Sequence, residues 1–177
     1  FLNNLVIPLN FWVWITTQVL ALKHLAFALS SSIILRNPLF MFGSLVKKKL
    51  DHNRLANVFV NSLNEAVESG FQDIADMINE DPAFVHEPGI NSDFADSFLM
   101  IVMVGNLRYL DSHFEAEDAR EIRSKIIEKM AAVYEMSLAD FEKVVNEHDS
   151  FISRVNHPSK NTLYGMSKAL FHKFNLN

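Results

Sequence analysis

The chain has no cysteine in its 177 residues. That removes disulfides, thiolate zinc sites and cysteine nucleophiles together, and it fits a reducing compartment. Glycine and proline are scarce, with five of each, and no glycine-rich phosphate loop occurs. Alternating apolar and polar runs are missing too, so the sequence offers no convincing strand. None of the seven histidines has a glutamate three residues before it or another histidine four residues after it. The helical di-metal and zincin patterns are therefore absent.

A last shortage is local. Residues 1–40 carry Lys23 and Arg36 and no acid, whereas residues 41–177 carry 14 Lys plus Arg against 21 Asp plus Glu. Even spacing would place about five acids in the first stretch, so Met41 marks a compositional boundary. Three readings of residues 1–40 stay open. A membrane anchor over residues 5–35 has the length, because FWVWITTQVLALKHLAFALSSSIIL exceeds the ~20 apolar residues a span needs and basic residues follow it. Lys23 and His24 oppose that reading, since a mid-span lysine costs roughly 2.5–3.5 kcal/mol. A secretory signal would use LAFALSSSIIL, but RNPLF offers no pair of small residues for cleavage. The third reading is a non-native leader ahead of a start at Met41.

From Met41 onward the apolar period is close to 3.6, which predicts an all-α domain over residues 41–177. Leu55, Phe59, Leu63 and Val67 predict a helix over 51–69 closed by Gly70, and Phe71, Ile74 and Ile78 predict a short second one. NEDPAFVHEPG ends it. Asn91 or Ser92 caps the next helix, whose SFLMIVMVGNLRYL segment has no charge between Asp96 and Arg108 and reads as a buried central helix, with Gly105 admitting a neighbour or marking a kink. A helix over 115–135 follows, then one starting at Ser137, where Asp140 completes a variant capping box. Its apolar face runs through Leu138, Phe141, Val145, His148, Ile152 and Val155. The last helix, from Asn161 or Thr162, carries Leu163, Met166, Leu170 and Phe174. About six helices with short connections predict a compact bundle or orthogonal array, preceded by the hydrophobic N-terminal segment. The final helix lacks a polar tail, which leaves open that the natural chain continues.

The chemical candidates are few. His148 interrupts an apolar face and is flanked by Glu147 and Asp149, which makes it the one candidate general base. No nucleophile accompanies it: SLVK at Ser44–Lys47 lacks companion elements, and GMSKA at Gly165–Ala169 lies within a helix. His113 and Glu117 form the nearest metal-like pair, beside Asp111, Glu115 and Asp118, although a solvated helix start explains the same residues. DSHFEAED lacks the glycine of a calcium loop. Arg154, His157, Ser159 and Lys160 precede the last helix and form a candidate anion site at its N-terminus.

No cofactor is implied. The −7 balance of residues 41–177 disfavours nucleic acid as a partner. Charge is nonetheless segregated: residues 111–149 hold 11 acids against five bases, while residues 150–177 hold four bases and no acid. Such opposed surfaces favour a protein partner. The sequence thus points to a non-enzymatic helical domain working through protein contacts, in the cytoplasm or on the cytoplasmic face of a membrane. The alternative is an anion-binding or metal-assisted enzyme centred on His148 and the Arg154–Lys160 loop.

Overall fold

The computed structural model describes residues 51–82, 84 and 86–176. The readings of residues 1–40, the start at Met41 and the SLVK motif lie outside them. Among the described residues every regular element is helical: α1 (His52–Asn79), α2 (Ala95–Leu107) entered through a 3-10 turn (Ser92–Phe94), the single-turn α3 (Leu110–His113), α4 (Ala116–Val133), α5 (Leu138–Asn156) and α6 (Thr162–Lys173). None of them is long and apolar enough to cross a membrane.

The expected break at Gly70 does not occur. One helix of 28 residues replaces the predicted pair. Its buried stripe, Ala56, Val60, Leu63, Val67, Phe71, Ile74 and Ile78, keeps three- and four-residue steps straight through the glycine. An interior glycine costs about 1 kcal/mol relative to alanine, whereas burying a side chain such as Phe71 or Ile74 stabilises by about 1.5–3 kcal/mol. Packing wins over the local stop signal. The helix starts where the Asp51 carboxylate accepts from Arg54 N at 2.9 Å, and it is tied to the following loop by Asn79. That amide donates to Ile90 O and accepts from Ile90 N, both at 2.8 Å.

Helix α2 is buried on every side: the ten residues from Phe98 to Leu107 are all buried. It packs against α1, α5 and α6, while α4 lies along α1 and also touches α5. Phe71 of α1, Phe98 of α2 and Phe174 just after α6 join these helices through ring pairs, with centroids 5.6 Å apart for Phe71–Phe98 and 6.4 Å for Phe71–Phe174. Gly105 serves close approach. A Cβ placed there would lie 2.2 Å from Met166 Sδ of α6, and Met166 is itself fully buried.

The ends of α5 and α6 form as their sequences dictate. Ser137 Oγ accepts from Asp140 N at 3.2 Å and donates to Asp140 Oδ2 at 2.6 Å, while Asn161 Oδ1 accepts from Tyr164 N at 3.1 Å. Between α2 and α4 the acidic run is not a simple helix start. Residues 110–113 make one turn, then Phe114 and Glu115 turn extended before α4 begins.

Replacing Gly105 with alanine is expected to destabilise the chain by about 1–3 kcal/mol through overpacking. Adding Met166→Ala should recover part of that loss, a non-additivity that urea unfolding of the two single variants and the double variant will measure.

Candidate functional site

The most heavily bonded charged group joining α2 to α5 is Arg108. Its Nε donates to Asp149 Oδ1 at 2.7 Å, and its Nη2 donates to Asp149 O at 2.6 Å and to Ser153 Oγ at 2.7 Å. This fork takes up the carboxylate that the sequence places beside His148. The His148 ring turns the other way, with Nδ1 2.9 Å from Val144 O one turn back in its own helix. That bond fixes the proton on Nδ1 and anchors a half-buried ring to the backbone.

The other histidine candidate is dispersed in a similar way. His113 Nδ1 sits 2.8 Å from Tyr109 O and 2.9 Å from Ser112 Oγ, and the extended backbone at Phe114 and Glu115 puts His113 and Glu117 on separate helices. Of the acids around them, Asp118 pairs with His52 at 2.8 Å and Asp111 with Arg123 at 3.5 Å. Among the described residues no group of three or more metal-ligating side chains converges. Ser167, the serine of GMSKA, is fully buried in α6 and donates to Leu163 O at 3.1 Å.

The four anion-site residues are held in different ways. Ser159 Oγ accepts from Asn161 N at 3.1 Å, which occupies the hydroxyl within its own loop. His157 and Lys160 are exposed. Arg154 leaves the loop altogether, and its guanidinium carbon lies 5.4 Å from the centroid of the Phe151 ring. Lys173 of α6 reaches the same ring from the neighbouring helix, its Nζ 5.5 Å from the centroid. The ring of His172 meets Phe151 edge-on at 6.4 Å. Further along α6, Lys168 Nζ lies 4.7 Å from the centroid of Tyr164.

A contrast follows that the sequence does not reveal. Arg108, Arg123 and Lys125 pair with Asp149, Asp111 and Glu128, whereas Arg154, Lys168 and Lys173 stand over aromatic rings. A cation over a ring gains about 0.5–1 kcal/mol at an exposed site, and the ring leaves its charge uncancelled. The C-terminal end of α5 and the adjoining α6 therefore carry a group of cations backed by rings, Arg154 and Lys173 at Phe151 and Lys168 at Tyr164. Beside it, a shallow groove of about 640 Å³ runs along the outward side of α5, lined among others by Glu142, Lys143, Glu147 and Arg154 and by neither His148 nor His157.

Two tyrosines show how burial works elsewhere. Burial pushes the Tyr109 phenol up, against a hydrogen bond with Thr162 at the start of α6. Burial pushes Tyr134 up to about 12, helped by the negative Asp96, whose Oδ1 accepts from the Tyr134 hydroxyl at 3.1 Å. Tyr134 also stacks on Phe141 with centroids 5.7 Å apart.

Because the folded Tyr134 holds its proton more tightly than the unfolded chain does, its contribution is complete below pH 10.0, the ordinary tyrosine value, and is lost as pH rises through about 12. Tyrosinate absorbance should show a titration step near pH 12 that disappears in Tyr134→Phe. The urea midpoint of that variant should fall less steeply over the same interval than that of the parent. For the fork, Arg108→Ala should cost about 1–3 kcal/mol in urea unfolding, and Arg108→Lys should not restore it, because an ammonium cannot reproduce the guanidinium's fixed fork.

Comparison with known proteins finds no matching family, no similar curated protein and no matching solved structure.

Proposed function

We propose that the chain is a compact helical bundle that acts by binding a protein partner rather than by catalysis, and that it meets that partner through the outer face of α5 and α6. The observation that carries this reading is the pairing of Arg154 and Lys173, from two helices, with one Phe151 ring. Aromatic side chains and arginine are the residue types that contribute most to protein interfaces. Here they are presented together where the end of α5 meets α6, in a stretch of sequence with no acid after Asp149. The reading is also supported by the way His148, Asp149, His113 and Ser159 are engaged in bonds that hold helices and turns. Such a domain belongs in the cytoplasm, either free or tethered to a membrane through residues 1–40.

The test places a photoreactive amino acid at Lys168 on the proposed face or at Glu65 on exposed α1, in the chain expressed in its own cells. The expected result is a reproducible protein adduct from position 168 that position 65 does not give. Equal labelling from both positions, or none from 168, overturns the proposal.

A further inference from the structure

We infer that the segment received by the α5–α6 face is acidic: a short run of carboxylates from the partner protein that lies along the seam at Phe151 and engages Arg154 and Lys173. This rests on the protein-contact reading above and specifies the chemistry of its partner. Both cations are stationed over a ring, and neither has an ion pair among the described residues. An incoming carboxylate therefore displaces no acid. It exchanges a cation–ring contact for a charge-assisted hydrogen bond, the stronger of the two interactions. Both side chains are already held against the Phe151 ring before the ligand arrives, so less rotamer freedom is lost on binding. Lys168, held over Tyr164, is a further cation of α6 backed by a ring.

The length of the acidic run is limited by what adjoins the seam. Glu142 and Glu147 line the α5 groove together with Arg154, and residues 111–149 carry 11 acids against five bases. A continuous polyanion, whether a nucleic acid or an anionic membrane, would meet repulsion where it ran along α5 from Arg154 toward Glu147 and Glu142. A peptide places its carboxylates only where they are needed. The surface thus combines local attraction at the seam with acids along α5 that disfavour extended negative partners.

The test measures fluorescence anisotropy of a labelled peptide of Glu-Asp-Ser repeats titrated with the full chain. Saturable binding that weakens with added salt is expected. Arg154→Ala and Lys173→Ala should each lower affinity by roughly tenfold, the equivalent of one charge-assisted bond. Arg154→Lys should retain part of the affinity, and Lys125→Ala, which removes a base already paired with Glu128, should leave it unchanged. Circular dichroism confirms that each exposed substitution leaves the fold intact. Absence of binding, affinity indifferent to Arg154 and Lys173, or tighter binding of phosphatidylserine vesicles or a single-stranded oligonucleotide overturns the inference. The two proposals fail separately. A specific adduct from position 168 with a partner segment that carries no acids keeps the protein-contact reading and removes this one, whereas no adduct removes both.

Discussion

The structure depends on one helix having no polar side. Ten consecutive buried residues in α2 leave no face for water, so burial must come from α1, α5 and α6 together, and removing any one of them would expose a stripe of Leu, Met, Ile or Val side chains. Burial at this scale is non-directional. By itself it would let the surrounding helices slide or rotate while still covering α2. Register is supplied at particular points along and beside that helix. Gly105 lets Met166 come within a distance that any side chain would obstruct. The charge that ends the apolar run, Arg108, fixes α5 by donating to Asp149 and Ser153 four residues apart.

Those points of register also decide how charge is distributed. The base nearest the core is satisfied by an acid from α5, and Arg123 adds a bond to Leu107 O at 2.9 Å, closing the carboxyl end of α2. Arg108 is paired with Asp149 of α5, Arg123 with Asp111 of α3, and Lys125 with Glu128 of its own helix. Beyond Asp149 the chain has no acids left, and α6 packs on the C-terminal part of α5 with cations that find rings instead. The positive face is thus a by-product of sequence order combined with packing, and it coexists with a net charge of −5.

The all-helical class was legible because the apolar period is sustained, and the starts of α5 and α6 were legible because Ser137 and Asn161 are capping residues acting within three positions of themselves. Gly70 misled because a glycine after an apolar run carries the same local signal whether a helix stops or continues. The step from Val67 to Phe71 to Ile74 held the contrary evidence. The sequence sets His148 between Glu147 and Asp149; the fold bonds its Nδ1 to Val144 O and engages Asp149 elsewhere. Asp149 is bound by a guanidinium 41 residues away, and no spacing rule connects such a pair. The association of Arg154 with Lys173 was hidden for the same reason. The sequence placed Arg154 with the loop that follows it, whereas the fold turns it back onto its own helix.

The placement of α6 traces to Asn156, a polar side chain only 4% exposed at the end of α5. Its Nδ2 donates to Asn161 O at 3.1 Å, the carbonyl that also accepts from Gly165 N at 3.0 Å. The last residue of α5 thereby holds the cap of α6 directly. The side chain fits because position 165 is glycine: a Cβ there would stand 3.0 Å from Asn156 Cγ and Nδ2. An apolar residue at 156 would also fill the space, but it would have no directional bond with which to set the first turn of α6. Since Lys168 and Lys173 lie within about two and three and a half turns of that cap, the start that Asn156 holds carries through the helix to the position of Lys173 over Phe151. A buried amide between two helices thus joins Gly105 and Met166 in setting where α6 and its charges stand, although it touches none of them.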